Sequence, residues 1–255
     1  MRFFCVKLKT IKIVLLVGLV AVLLSVNIGG SAVASVYFGN ALRKVPIYYV
    51  NTPEKNISIG FDAAWGADKT EKIMDICDQF GVKATFFLVG FWVEKYPDIT
   101  KKIAERGFEI GTHSNSHPDM TKLSQSQQEL ELTTSINLIE QTAGTKVKLF
   151  RCPYGAYNDT LLTTAENLGL VTIQWDVDSL DWKGLSAMEI TTRVVNGVRN
   201  GSIILCHNNS DHILDALPIM LDRLQKRQFK LVPIGDLILK ENYIIDNNGM
   251  QTAKI

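Results

Sequence analysis

Histidine and cysteine are scarce in this sequence, with four of each in 255 residues. Cys5 precedes an apolar N-terminal stretch, which leaves Cys77, Cys152 and Cys206 beyond it. An odd number excludes a fully paired disulfide framework within one chain. Cys77 falls in an amphipathic helical pattern and reads as a small buried hydrophobe. Clustered basic residues are also missing, which excludes nucleic-acid binding as the main role. Internal repeats, low-complexity linkers and a second domain are absent as well. The formal net charge of +1 hides an asymmetry. Residues 1–34 carry Arg2, Lys7, Lys9 and Lys12 and no acidic side chain. The remaining 23 basic residues face 26 acidic ones, so the rest of the chain is slightly acidic.

That basic start precedes an uncharged stretch from Ile13 to Leu42, most apolar over Ile13–Val26. It reads as an export signal or a membrane anchor. Ala32-Val-Ala34 fits a small-residue cleavage site. The segment up to Gly39 could instead extend the apolar run to roughly 20 residues. Both readings put the domain outside the cytoplasm, with the Lys-rich end inside, and the uncleaved anchor is preferred. The division expected is a signal or anchor over 1–40, a juxtamembrane linker and first strand over 41–54, a barrel over 55–240 and a loose polar tail over 241–255.

From Ile57 the pattern alternates between short apolar runs and helical periods. Strands are expected at Ile57–Phe61, Ala84–Val89, Phe108–Gly111, Val147–Phe150, Leu170–Gln174, Ser202–Cys206 and Phe229–Pro233. Helices are expected at Thr70–Phe80, Pro97–Arg106, Ser124–Ala143, Asn158–Leu168, Ser186–Val198 and Ile213–Lys226, with a last turn at Gly235–Lys240. Ser124 with Gln127 and Ser186 with Glu189 are capping boxes. Seven β-then-α units with short links imply a parallel sheet, and the length suits a closed or nearly closed barrel.

Two of the four histidines lie in Gly111-Thr-His-Ser-Asn-Ser-His-Pro-Asp-Met120. Neutral imidazoles suit zinc and related ions, so His113 and His117 could share one divalent metal. Pro118 biases His117 away from the αR region, so the pair is placed in a loop with both rings turned inward. A metal-free loop pair fits the spacing equally well. The decisive pattern is collective, because chemistry in parallel α/β folds gathers at the carboxyl ends of strands. Asp62, His113 with His117, Arg151, the Trp175–Trp182 segment with Asp176, Asp178 and Asp181, and His207 each follow a different expected strand.

Four segments then carry a resemblance: Gly111-Thr-His-Ser-Asn-Ser-His-Pro118, Phe150-Arg-Cys-Pro-Tyr-Gly155, Trp175-Asp-Val-Asp-Ser-Leu-Asp-Trp182 and Ile204-Leu-Cys-His207. In this order they resemble the polysaccharide deacetylase family, carbohydrate esterase family four, over roughly residues 55–235. The resemblance implies an α/β fold, a distorted (β/α)7 barrel of parallel strands. It also implies metal-dependent removal of acetyl groups from N-acetylated sugars. Asp62 matches the general base, Arg151 the arginine that holds it, and Asp181 the acid that orients His207, with Asp178 as the alternative. His207 would protonate the leaving amine. His113 and His117 match the ligands of a divalent metal, zinc foremost. Trp182 would wall the pocket and stack on a sugar, and Tyr154 stands on the substrate side with it. Leu205 shares a strand face with His207 and would line the acetyl pocket, while Cys206 points outward. Cys152 replaces a common proline and reads as packing; His212 matches no motif and reads as exposed.

One motif departs. The family pattern Thr-Phe-Asp-Asp-Gly here reads Gly60-Phe-Asp-Ala-Ala64, so Ala63 stands where the metal-binding aspartate is expected. This variant is similar to a sporulation-associated subgroup from spore-forming bacteria that shares a short N-terminal anchor. The expected function is an extracytoplasmic deacetylase of cell-wall amino sugars, in peptidoglycan or chitooligosaccharide-like chains. The alternative is a catalytically impaired, glycan-binding pseudoenzyme.

Overall fold

The computed structural model describes residues 43–254. The signal or anchor expected over 1–40 lies outside the described residues. Among the described residues no helix is long and apolar enough to cross a membrane.

The central strand is β2 (Asn56–Ala63), buried along nearly its whole length. Its pleat sends Ser58, Gly60 and Asp62 to one face and Ile57, Ile59, Phe61 and Ala63 to the other. The second set joins the large apolar cluster shared with Ile73, Met74, Leu217 and Met220 from helices. Phe61 stacks on Phe86 with ring centroids 5.3 Å apart. Beside β2 lie β3 (Thr85–Leu88) and β8 (Ile203–His207), both parallel to it. The sheet continues through β4 (Glu109–Thr112), β5 (Leu149–Phe150) and β6 (Val171–Thr172) on one side. On the other, β7 (Val177–Asp178) pairs with β8. A further strand, β9 (Lys230–Leu231), pairs with the start of β2. Every one of these pairings is parallel, and the curled sheet with its helices forms the distorted (β/α)7 barrel expected. A smaller apolar plug inside it joins Phe87, Leu149 and Ile203 to Ile47, Ile234 and Leu237.

The helices are α1 (Thr70–Gln79), α2 (Gly90–Lys95), α3 (Pro97–Glu105), α4 (Gln125–Ala143), α5 (Asp159–Asn167), α6 (Ala187–Gly197), α7 (Ile213–Lys226) and α8 (Ile234–Leu237). Both expected capping boxes form, at Ser124 and Ser186. Each satisfies two helix-end amides that would otherwise lack a partner. Helix α2 was not anticipated from periodicity, since six residues span too few turns to show one.

Three expectations need correction. The tail over 241–255 is not loose. Within it β10 (Tyr243–Ile245) and β11 (Met250–Ala253) pair antiparallel, and the turn is held by Asp246 accepting from the Asn248 and Met250 amides. Gln251 is fully buried and exchanges two hydrogen bonds with the Leu239 backbone. The entry strand shrinks to β1 (Tyr49–Val50), which pairs parallel with β11, while Ile47 and Tyr49 make single bridges to Ile173 and Ser202 of the barrel. The fifth expected strand shrinks to Val171–Thr172, and β7 takes up the next extended stretch against β8.

Candidate active site

The register puts Asp62 on β2 directly beside His207 on β8. Both side chains point into the barrel at its carboxyl end, where they line a cleft of about 580 Å³. His113, His117, Tyr154, Trp182 and Leu205 line the same cleft. Arg151 lies beneath it, fully buried. The sequence-expected residues therefore converge, with one exception from the acidic segment. Asp176 sits at the opposite end of the sheet, accepting from Ser202 Oγ and the Ile203 amide.

Arg151 is the hub. Its Nη1 donates to Asp62 Oδ1 at 2.8 Å, and its guanidinium lies 4.1 Å over the Phe87 ring. Its backbone carbonyl accepts from His113 Nδ1 at 2.7 Å. That bond fixes the tautomer, with the proton on Nδ1 and the Nε2 lone pair 3.4 Å from Asp62 Oδ2. Burial pushes the Asp62 carboxyl upward, but the charge of Arg151 and then those of His113 and His207 outweigh it, and the group ends below its ordinary value. The carboxylate stays ionised.

His207 is tuned the other way. Its Nδ1 donates to Asp181 Oδ1 at 2.8 Å, and its own amide donates to Asp181 Oδ2 at 2.8 Å. Burial works against the charged ring, yet the hydrogen bond and charge of Asp181, followed by Asp62 and Asp178, raise its pKa above 6.5. The structure thus puts Asp181 against the ring. Asp178 instead accepts from the Leu180 amide and shapes the turn. Leu205 is buried on the cleft-facing side of β8, and Cys206 packs in the outer apolar cluster, as the pleat requires. His212 is exposed.

The histidine loop is strapped from two sides. Gly90 and Phe91 amides, opening α2, donate to the Ser114 and Asn115 carbonyls. Glu131 on α4 accepts from the Asn115 and Ser116 amides and from Ser116 Oγ. A side chain at Gly90 would collide with Asn115. Ser114 and His117 both take positive φ, at 69° and 57°. Such backbone costs about 1–3 kcal/mol per residue and persists where surroundings hold it. Glu131 and Gly90 were missed by sequence reasoning, because a polar helix position and a strand-end glycine carry no signal for a loop 16 or 25 residues away.

The two histidines fit a metal in part. His113 has the carbonyl-anchored Nδ1 that ligating imidazoles commonly show. His117 Nδ1 is buried with no hydrogen-bond partner. Burial, and then the charge of His113, pull the His117 pKa down to about 4; burial also lowers that of His113. Both rings are neutral donors near neutral pH. Among the described residues no group of three His, Cys, Asp or Glu is arranged to hold a metal, and the carboxylate beside the pair is that of Asp62, 3.4 Å from His113 Nε2. Ala63 is fully buried in the outer apolar cluster, and Ala64 and Trp65 line the cleft after it. Cys152 also reaches the cleft wall, but burial pushes its thiol far up, so it packs as a neutral group.

Residues 49–173 match the polysaccharide deacetylase family. The chain is 34% identical over 198 residues to the uncharacterized protein YlxY of Bacillus subtilis, covering 78% of this chain and 62% of that one. It is 35% identical over 185 residues to a peptidoglycan-N-acetylglucosamine deacetylase of Bacillus cereus, covering 71% and 67%. Among solved structures, BA3943 of Bacillus anthracis, a CE4 family pseudoenzyme, superposes with a TM-score of 0.74 at 32% identity, covering 76% of this chain and 68% of that one. With the cleft residues gathered as described and these likenesses in sequence and fold, the chain belongs to the polysaccharide deacetylase family.

Proposed function

We propose that this chain hydrolyses the N-acetyl group of amino sugars in cell-wall glycan, outside the cytoplasm, tethered by its N-terminal segment and serving spore-forming cells. One observation carries the chemistry. Asp62 and His207 are register partners on adjacent strands, and their surroundings push their pKa values apart, one down and one up. Two titratable groups separated in this way supply the base and the acid of one reaction.

Asp62 takes a proton from the water that attacks the acetyl carbonyl. His207 Nε2 gives a proton to the leaving nitrogen as the C–N bond breaks, so amide and water become acetate and amine. Arg151 keeps Asp62 ionised, and Asp181 holds the His207 ring so that Nε2 faces the cleft. Leu205 and Trp182 shelter the acetyl methyl. His113 and His117 would hold a divalent cation, zinc foremost, with water completing the shell. Such an ion would polarise the acetyl carbonyl.

Acetate release from peptidoglycan or chitooligomers, measured across a series of divalent metals, tests this reading. Activity that disappears in Asp62→Asn and His207→Ala supports it. No acetate with any metal or glycan overturns it. Ala63, together with the likeness to a pseudoenzyme, favours a second reading in which the cleft binds wall glycan without turnover. Glycan binding with no acetate release under every metal selects that one.

A further inference from the structure

Asn208 follows His207 where the chain leaves β8; it is buried and is not one of the residues lining the cleft. Its backbone amide donates to the Asp62 carbonyl at 3.2 Å, one step past the register pair of Asp62 and His207. Its side chain turns to another element. Nδ2 donates to the Gly66 carbonyl at 2.8 Å and to Oγ1 of Thr70, at the start of α1, at 3.0 Å. The Gly66 carbonyl accepts a second bond, from Nε1 of Trp92 on α2 at 2.6 Å. Trp92 is fully buried and does not line the cleft either.

A carbonyl oxygen has two lone pairs, and side chains from two different elements occupy both at Gly66. That oxygen is a junction. One arm runs through Asn208 to the strand end that carries His207. The other runs through Trp92 into α2, whose Gly90 and Phe91 amides hold the Ser114 and Asn115 carbonyls of the histidine loop. The turn between Asp62 and Gly66 is tied once more, by the Val89 amide on the Ala63 carbonyl. Gly66 has φ 63°, a conformation glycine takes without steric cost, and its carbonyl is thereby aimed at both donors. Asn208 contributes through its donors alone, since its Oδ1 is buried with no hydrogen-bond partner. An unpaired buried acceptor is costly, and an apolar side chain would avoid that cost. What the position supplies is therefore the N–H pair.

We propose that Asn208 and Trp92 are positioning residues for the reaction, acting as a pair on the Gly66 carbonyl. Through that one oxygen they hold the end of β2 against the end of β8 and, by way of α2, against the histidine loop. Asp62, His207 and the two loop histidines are thereby kept at one fixed spacing by side chains that stand outside the cleft. This inference rests on the proposed deacetylation, in which base, acid and histidines meet on one acetyl group. Displacing a reacting group by about 1 Å from a distant position can cost about 10²-fold in rate.

The test compares the full chain with Asn208→Leu, Trp92→Phe and the double variant, each checked for its fold by circular dichroism. Asn208→Leu keeps the size of the side chain and removes both donors; Trp92→Phe keeps an aromatic ring and removes the N–H. Each is expected to lower kcat for acetate release by about ten- to a hundred-fold with little change in KM. The double variant is expected to be little slower than the worse single one, because residues that share a partner do not act additively. A second readout needs no turnover. In spectra of the 15N-labelled chain, the Ser114 and Asn115 amide signals are expected to move in the same direction in both single variants, while Ile244 on β10 keeps its position. Either variant decides alone if the other does not fold. Losses that add in full, or Ser114 and Asn115 signals unmoved in a folded variant, overturn the proposal. Loop signals that move in a chain releasing no acetate overturn the deacetylase reading and leave the junction standing. Acetate release with kcat unchanged in the variants does the reverse.

Discussion

Arg151 lies across the backbone of Gly60: a Cβ built there would stand 2.7 Å from Nη2 and 2.8 Å from Nη1. Gly60 is two residues before Asp62 on the same face of β2, so its bare backbone is the bed on which the guanidinium reaches the carboxylate.

Gly60→Ala is therefore expected to displace the guanidinium from Asp62. Crowding of this kind costs about 1–3 kcal/mol, read as a lower denaturant midpoint. Asp62 has a depressed pKa, so its pairing adds stability above the unfolded value near 3.8 and loses it as pH falls through the folded one. In the variant that contribution shrinks, and the acid limb of the pH–rate profile moves to higher pH.

Arg151→Met goes further by leaving Asp62 buried without its counter-charge. Breaking a buried pair from one side costs about 3–5 kcal/mol. Combining it with Asp62→Asn should recover part of that loss in equilibrium unfolding. A double variant no more stable than Arg151→Met would show that the guanidinium stabilises through packing on Phe87 alone.

Asp181→Asn removes the group that raises His207. A group with a raised folded pKa stabilises fully below its unfolded value, near 6.5, and loses that contribution as pH rises through the folded one. The variant should thus lose more stability at pH 6 than at pH 9. Its rate profile should fall off at lower pH, because the proton donor is exhausted sooner. His207→Ala should lower kcat by roughly 10²–10⁴-fold, the usual range for a general acid.

Ala63→Asp puts a carboxylate at a fully buried position in an apolar cluster. Without a counter-ion that burial is costly. If the new side chain reaches the His113–His117 pair, a divalent metal offsets the cost by binding the folded state. The expected result is a Tm that drops in chelator and recovers with zinc. A Tm lowered equally with and without metal would mean that the carboxylate cannot turn toward the cleft.

Tyr154→Gly relieves a left-handed backbone that costs an L-residue about 1–2 kcal/mol. The variant should be more stable to denaturant and bind glycan more weakly, an opposition that a purely structural tyrosine would not give.

The barrel was legible in the sequence because its signals are local. Apolar runs, glycine stops and two capping boxes mark the elements from β2 to α7, and strand order put Asp62, His113, Arg151 and His207 at one rim. Period-two alternation also sorted Leu205 inward and Cys206 outward. The resemblance chose Asp181 over Asp178 as the partner of His207, as found, but the residues alone did not separate the two, since the outcome depends on how a turn with Leu180 in left-handed geometry folds back under His207. Asp176 was misplaced because the segment after β6 runs on into the parallel strand β7, so the residue stands before β7, at the end of the sheet where β8 begins. The C-terminal sheet was missed because its strands are only three and four residues long, and their partner β1 lies far away in sequence, Tyr49 against Met250.

That last pairing has a consequence for assembly. Val50 on β1 finds its ladder partner at Gln251, and the Gln251 amide group also ties down Leu239. The first described strand thus finds its ladder partner only once Met250 and Gln251 have been made. Contacts of such long sequence separation form late and slowly. Removing β11 would free β1 and β10 together, so the hairpin acts as a clasp between the first and last described strands.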